Sequence, residues 1–269
     1  MDLHSIDTIV EPRARHELPP PALRDSILAG GTWLYSEPQP GTNRLIDITA
    51  LGWPPLTIAE NGLDIAATCT IEQLIEVPYP SAWTATSLFR ECADALVASF
   101  KIWASATVGG NICLALPAGS MIALAAALDA TLTIWRPDGT DRTTTITELV
   151  TGNHCTTLEP GEILRSIHLP ATALRQEVSL RRIAQAPLGR SGALLIGRAT
   201  EHGPVLALTA ATDRPIIVGP GSPADTRQAI DEISSDRWYS DPHGTADWRK
   251  HVTTLLAEDI MADLAVREE

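Results

Sequence analysis

The sequence is poor in aromatic residues and in basic residues. Aromatic side chains make up 4% of the 269 residues, and 20 Lys and Arg stand against 33 Asp and Glu, for a formal net charge of −13. A chain this acidic repels phosphate backbones, so nucleic acid is not an expected partner. No run approaches the roughly 18 uninterrupted apolar residues that a spanning helix needs, so no membrane span is predicted.

Paired cysteines are also missing. Cys69, Cys92, Cys113 and Cys155 are scattered and form no CxxC motif. This spacing excludes an iron–sulfur cluster or a zinc site built from local cysteine pairs, and it predicts buried free thiols and no metal site. The N-terminus has no basic start followed by an apolar run, so we predict no signal peptide and expect a cytoplasmic protein.

The rest of the composition is that of an ordinary globular protein, with 44% hydrophobic and 20% charged residues. One core rarely extends past roughly 250–300 residues, so two or three closely packed subdomains are expected. Up to Pro170, hairpin signals at Asn61-Gly62 and Pro137–Gly139 alternate with helical patterns, including a buried helix over 117–129. Beyond Pro170, strand-like runs precede two polar helices. This order predicts the α+β class, with a C-terminal antiparallel sheet covered by helices.

Two glycine clusters are the strongest candidates for a binding site. They are Ala29-Gly30-Gly31-Thr32 and Thr107–Asn111; each follows a helix-like run (Ala22–Leu28 for the first) and is interpreted as a turn. Consecutive backbone N–H groups in such turns converge on anions, and glycine lets a phosphate approach closely. Together the loops suit the two phosphates of a dinucleotide. Neither is a Walker A or GxGxxG sequence, and either one alone is more often a plain tight turn.

Seven segments carry a wider resemblance, in this order: ILAGGTWL, RLIDIT, LDIAATCTIEQL, SATVGGNICLALPAG, IALAAALDATLTIW, LEPGEILRSIHLP and HGTADWRKHVTTLLAEDIMADL. Together they resemble the FAD-binding, or medium, subunit of molybdenum hydroxylases, the family of xanthine dehydrogenase and aerobic carbon monoxide dehydrogenase. The resemblance implies a vanillyl-alcohol-oxidase-type (PCMH) FAD-binding fold. It divides the chain into an N-terminal FAD-binding subdomain (1–55), a central FAD-binding subdomain (56–170) and a C-terminal α+β subdomain (171–269).

The resemblance also implies FAD as the cofactor and suggests its contacts. The pyrophosphate is expected against the backbone of residues 29–34, Leu164 near the flavin end, and Arg181 about where many relatives have a lysine near the flavin. Ser120 and Trp33 stand where the family often has Asp. The implied cofactor-binding residues are Ala29, Gly30, Gly31, Thr32, Trp33, Leu34, Thr107, Gly109, Gly110, Asn111, Ser120, Leu164 and Arg181.

The implied function is electron transfer inside a complex. In such enzymes a large molybdopterin-binding subunit hydroxylates the substrate, and a small subunit relays electrons through two two-iron, two-sulfur clusters. The FAD chain passes them to NAD⁺, oxygen, a quinone or another carrier, so no catalytic side chain is expected. Two alternatives stay open: a cofactor-free scaffold, suggested by Ser120 and Trp33, and a self-sufficient flavin oxidase, which usually carries a further substrate-capping domain.

Overall fold

The computed structural model describes residues 3–267; the first two and last two residues of the predicted subdomains lie outside this range. Its strands are β1 (Thr8–Val10), β2 (Asp25–Leu28), β3 (Arg44–Asp47), β4 (Leu56–Ala59), β5 (Gly62–Ala66), β6 (Thr131–Trp135), β7 (Asp141–Thr145), β8 (Val150–Gly152), β9 (Cys155–Thr156), β10 (Ile163–Pro170), β11 (Val178–Ile183), β12 (Ala193–Arg198), β13 (Val205–Thr209) and β14 (Ile216–Val218). Its α-helices are α1 (Ile71–Glu76), α2 (Ser87–Ala95), α3 (Phe100–Trp103), α4 (Val108–Leu114), α5 (Ser120–Ala127), α6 (Ile146–Leu149), α7 (Ala171–Leu174), α8 (Pro223–Asp231) and α9 (Ala246–Arg267).

The N-terminal strands form a parallel sheet in the order β1-β3-β2. The helix-like interpretation of Ala22–Leu28 is wrong, because Asp25–Leu28 pairs with Arg44–Asp47 along its whole length. The Nε of Arg44 lies 2.7 Å from Oδ1 of Asp25, and this hydrogen bond lowers the pKa of the Asp25 carboxyl. The first glycine cluster therefore follows a strand, at the edge of a parallel sheet.

The central part of the chain is an antiparallel sheet in the order β4-β5-β10-β6-β7. Both predicted hairpins are confirmed: Asn61-Gly62 lies at the β4–β5 connection and Pro137–Gly139 lies in the β6–β7 turn. Strand β10 occupies the centre of this sheet, and its pairing with β6 shifts register between Leu164 and Ser166. This position brings the start of β10 towards the N-terminal sheet.

The predicted buried helix over 117–129 is confirmed as α5, and all of its residues are buried. It packs against α2 and α4 on one side and against β12 and β13 on the other. The same hydrophobic core includes Leu194, Ile196 and Ala207 of the C-terminal sheet. One core thus extends across the boundary predicted at residue 170, and the subdomain limits stay a prediction.

The C-terminal strands form an antiparallel sheet in the order β11-β12-β13-β14, with α9 packed on β11 and β12. This confirms the predicted sheet covered by helices. Thr245 precedes α9 and its Oγ1 accepts the Trp248 N–H at 3.3 Å, as a cap does. No described helix combines the length and the apolar character that crossing a bilayer requires.

The cysteines differ in exposure. Cys69 and Cys92 are buried and Cys113 is half-buried, as free thiols. The prediction is wrong for Cys155, which is exposed because it lies in the small β8–β9 hairpin at the surface. Burial raises the pKa of Cys69 and of Cys113 to about 12, so both are neutral thiols.

Candidate cofactor-binding site

A cavity of about 560 Å³ lies where the three-stranded sheet meets the central part of the chain. We call it the first cavity. Its volume falls within the roughly 300–1,000 Å³ that small-molecule and cofactor sites occupy. Most of its wall comes from three regions: the segment Ser26–Leu34, the segment from Leu96 through α4 to Leu116, and the residues around the start of β10. Ile48, Ala67 and Ile71 complete it.

Two glycines shape the first wall. A Cβ atom on Gly30 would lie 1.9 Å from the carbonyl oxygen of Ser105, so only glycine lets this segment contact the chain before α4. Gly31 has φ of +69°, in the left-handed region that favours glycine. The backbone therefore turns away from β2 against Ser105 and Ala106, the two residues directly before the second glycine cluster.

The amides of this first segment are unengaged. The N–H groups of Gly30, Gly31, Thr32 and Trp33 donate to no atom of the described part of the chain. These residues are partly exposed and line the first cavity. Successive unpaired N–H groups in a turn form a partial positive charge that suits an anionic phosphate oxygen. The segment can therefore bind a pyrophosphate through its backbone, whatever side chain stands at position 33.

The second glycine cluster differs in this respect. Thr107–Asn111 is not a turn but the start of α4, because Thr107 caps the helix through its Oγ1 and the Gly110 N–H at 3.0 Å. The N–H of Val108 donates to Cys69 O at 2.9 Å, and that of Gly109 to Ala67 O at 3.0 Å. Four of the five amides of the cluster, those of residues 108–111, are thus used inside the protein.

The second cluster contributes the shape of the cavity wall and the side chain of Asn111. A Cβ on Gly109 would lie 2.6 Å from the backbone of Ala67, so this glycine serves the packing of α4 on the end of β5. Oδ1 of Asn111 accepts the Met121 N–H at 3.1 Å, which ties α4 to α5 and leaves the Asn111 amide NH₂ group available to a ligand. The cluster is thus a wall built by α4, and its predicted role in binding an anion stays a prediction.

Eleven of the thirteen predicted residues line the first cavity. Leu164 is among them, 3% exposed at the register shift of β10. Ser120 and Arg181 are not among the residues of its wall. Ser120 is wholly buried at the start of α5, and its Oγ has no described hydrogen-bond partner. Arg181 lies on the edge strand β11, where its guanidinium bonds to Asp263 at 3.2 Å and to Ser179 Oγ at 2.9 Å.

Sequence reasoning missed the carboxylate in the wall. Glu162 is almost fully buried and is held by Arg142, with Nε 2.8 Å from Oε1 and Nη2 2.6 Å from Oε2. The bidentate bond with Arg142 is the main reason why the pKa of Glu162 is lowered. Its charge is therefore balanced before an anionic ligand binds. The sequence shows Glu162 within the LEPGEIL segment, but it does not identify Arg142, 20 positions earlier, as the partner of this carboxylate.

A second, larger cavity of about 1060 Å³ opens beside the first. The two share the wall residues Ile27, Leu158, Glu162 and Ile163. The proline-rich segment 18–23 and Trp135 form its far side. Together the two adjoining cavities form a crevice with room for an extended dinucleotide. Within residues 3–267, no group of three or more His, Cys, Asp or Glu side chains is arranged to bind a metal ion.

The match to known families agrees with this geometry. Residues 22–172, more than half of the chain, match the family described as the FAD binding domain in molybdopterin dehydrogenase. The chain belongs to this family: it carries the FAD-binding domain of the molybdenum hydroxylase oxidoreductases. The mixed sheet-and-helix fold and the FAD assignment predicted from the sequence are thereby confirmed. No curated protein matches the sequence.

Solved structures show the same fold over nearly the whole chain. The similarity to the reconstituted CO dehydrogenase from Oligotropha carboxidovorans has a TM-score of 0.82 at 20% identity and covers 97% of each chain. Quinoline 2-oxidoreductase from Pseudomonas putida 86 matches with a TM-score of 0.78 at 20% identity and 98% coverage of both chains. CO dehydrogenase from Hydrogenophaga pseudoflava matches with a TM-score of 0.80 at 19% identity, covering 97% of this chain and 98% of that one. At these identities the likeness is one of fold.

Proposed function

We propose that this chain is the FAD-carrying electron-transfer subunit of a multi-subunit, molybdopterin-dependent dehydrogenase. It would receive electrons from two-iron, two-sulfur clusters of a small partner subunit and pass them to an external acceptor, while a large partner subunit holds the molybdopterin. The observation that carries the proposal is the run of four unengaged amides at Gly30–Trp33 in the wall of the crevice. We further propose a cytoplasmic complex and the subdomain limits 55 and 170.

The residues of the crevice are suited to holding a cofactor rather than to performing acid–base chemistry. The Gly30–Trp33 amides bind the pyrophosphate, and Asn111 offers its amide NH₂ group. The buried side chains of Leu28, Ile71 and Leu164 exclude water from the wall. When bound, FAD supplies the redox chemistry, accepting electrons from one carrier and releasing them to another.

The titratable side chains in the wall of the first cavity support a non-catalytic protein environment. They are Cys113, kept neutral by burial, and Glu162, kept ionised by Arg142. Neither is poised near neutral pH, as a general acid or base would be. The substrate reaction is therefore assigned to a partner subunit, and the electron acceptor is left to experiment.

The first test is the cofactor content of the purified chain. We expect a yellow protein that releases about one FAD per chain in acid, identified by chromatography against FAD and FMN standards. A pyrophosphate-binding segment also predicts that the stripped chain takes up FAD and not FMN. A colourless chain that fails to take up added FAD would contradict the proposal and favour the cofactor-free scaffold.

The second test separates a subunit from a self-sufficient oxidase. In the purified complex, addition of the substrate of the large subunit should bleach the visible absorbance band of the oxidised flavin. The isolated, FAD-loaded chain should not respond to the same substrate. Bleaching of the isolated chain would contradict a role limited to electron transfer.

A further inference from the structure

A third cavity, of about 110 Å³, adjoins the first, since Trp33 and Leu116 line both. Its walls come from all three predicted subdomains. Trp33 belongs to the first, Asn153 and His154 to the β8–β9 hairpin, and Arg190 and Tyr239 to the C-terminal part. The ring of His154 lies 5.8 Å from that of Trp33. The first cavity therefore continues into a small recess that shares no wall residue with the second cavity.

This recess contains an unsatisfied hydrogen-bond acceptor. The Nδ2 of Asn153 donates to the hydroxyl of Tyr239 at 3.1 Å, which ties the β8–β9 hairpin to the C-terminal part. Its Oδ1 is buried and has no described hydrogen-bond partner. A buried acceptor without a donor is unfavourable, so the site is suited to a ligand that brings an N–H group.

The recess also carries an uncommitted cation. Arg190 has no ion-pair or hydrogen-bond partner in the described part of the chain, although it lines the recess. Its neighbours are engaged: Arg182 bonds to Ser191 Oγ at 2.7 Å, and Arg249 bonds to the carboxylate of Asp241 and to the carbonyl of Gly192. Arg190 is thus free to face a carbonyl or a negative charge on a ligand.

We propose that the third cavity binds the pyrimidine edge of the flavin ring, an inference that rests on the proposed function. That edge presents one N–H group, at N3, between two carbonyl oxygens. Asn153 Oδ1 accepts the N3–H, and the Arg190 guanidinium stabilises the adjacent carbonyl and the negative charge that reduction adds to this ring. The recess is too small for a whole ring system, so it holds an edge only, and the adenosine half extends towards the second cavity.

The test of the hydrogen bond compares FAD with its N3-methyl analogue on the stripped full-length chain. The analogue has no N3–H, so the wild-type chain should bind it roughly ten- to a hundredfold more weakly than FAD. In Asn153→Ala this discrimination should disappear. Asn153→Asp keeps an acceptor at the same place and should keep the discrimination, which guards against a loss caused by misfolding.

Tyr239→Phe separates a direct contact from a structural role of Asn153. This variant removes the bond from Nδ2 and leaves Oδ1 untouched. If Asn153 only holds the hairpin against the C-terminal part, Tyr239→Phe will reproduce the effect of Asn153→Ala, and the inference is overturned. If Tyr239→Phe still discriminates between the two flavins, the contact is direct.

The test of Arg190 is the midpoint potential of the bound flavin, measured by spectroscopic titration. Arg190→Gln should lower the potential by about 30 mV for each tenfold loss in the preference for reduced over oxidised FAD. Arg175→Gln is the matched control, because Arg175 is also exposed, has no ion pair among the described residues and does not line the three cavities. Equal shifts in both variants, or none in either, contradict the role of Arg190.

The outcomes separate the two proposals. A wild-type chain that binds FAD and its N3-methyl analogue equally well overturns the inference and leaves the FAD-binding function intact. A chain that binds neither flavin overturns both.

Discussion

At the scale of single residues, Gly30 is where the missing side chain matters most. The Cβ position of this residue is occupied by the Ser105 carbonyl, so the contact of this segment with the chain before α4 depends on it. Gly31 contributes the left-handed turn that follows. The first wall of the cavity is thus set by the backbone, and the Trp33 side chain is compatible with it.

Gly30→Ala should therefore lower both stability and FAD content. Overpacking of this kind costs about 1–3 kcal/mol, and for a chain of this size the melting temperature should fall by roughly 2–4 °C per kcal/mol. Gly41→Ala is the control, because a Cβ there meets no atom within 4 Å. Thermal melts and the flavin-to-protein absorbance ratio give the answer. Equal behaviour of the two variants would contradict the close contact.

Glu162 predicts a particular dependence of stability on pH. Its pKa is lowered from 4.5 in the folded chain, chiefly by Arg142, so the carboxylate stabilises the fold above about pH 4.5 and this contribution is lost as the pH falls through the lower, folded pKa. Glu162→Gln should be less stable at neutral pH and should lose less stability on acidification. Urea unfolding at a series of pH values measures this. Parallel pH curves for wild type and variant would be inconsistent with the ion pair.

At the scale of elements, α4 both packs on the central part of the chain and forms part of the cavity wall. Its first turn bonds to the carbonyls of Ala67 and Cys69, and its cap is the hydroxyl of Thr107 in the cavity wall. A change at the cap therefore alters the wall as well as the helix.

Thr107→Ala should cost about 1 kcal/mol of unfolding free energy, as loss of an N-cap does, and should also weaken FAD binding. Thr107→Ser keeps the hydroxyl and should restore both. Thr145→Ala removes the cap of α6 and lies outside the cavity walls, so it should lower stability alone. Chemical denaturation and a flavin-binding titration distinguish these outcomes. Loss of FAD affinity in Thr145→Ala would argue against a local effect at Thr107.

Elements defined by short-range signals were predictable, and those defined by long-range pairing were not. The hairpins at Asn61-Gly62 and Pro137–Gly139 follow from turn chemistry that adjacent residues determine. Strand β2 is different, because only its pairing with Arg44–Asp47 makes it a strand. The first amides of α4 bond to carbonyls some 40 residues away along the chain. The sequence alone therefore predicts a turn at the second cluster, where the structure has the start of a helix.

The candidate site shows the same division. The positions 29–34 and 107–111 carry glycine motifs that a sequence displays directly, and they do line one cavity. Arg181, by contrast, lies on an edge strand and forms an ion pair with Asp263, which is 82 positions further along the chain. Asn153 belongs to no sequence motif, and only its buried oxygen, which has no described hydrogen-bond partner, identifies it as a candidate contact.

At the scale of the whole molecule, α5 connects the central and C-terminal parts through one core. Arg198 of β12, almost fully buried, adds a bond from its Nε to Ala127 O at 2.8 Å at the end of α5. Removing the C-terminal part would expose this core to water.

We therefore expect one cooperative unfolding transition, and we expect a fragment ending at residue 170 not to fold alone. Calorimetric and van't Hoff enthalpies should agree for the full chain. The fragment should bind hydrophobic dyes and lack near-ultraviolet circular dichroism. Two resolved transitions, or a folded fragment, would show that the parts are independent.

The placement of Trp33 gives the molecule an optical reporter. Of the seven tryptophans, Trp33 alone lines the first cavity, half-exposed beside the unengaged amides. Indole emission overlaps flavin absorption, so a flavin bound here would quench Trp33 by energy transfer. Binding and release of the cofactor can therefore be followed in real time by the tryptophan fluorescence of the unlabelled protein. Trp33→Phe, which lacks this signal, is the control.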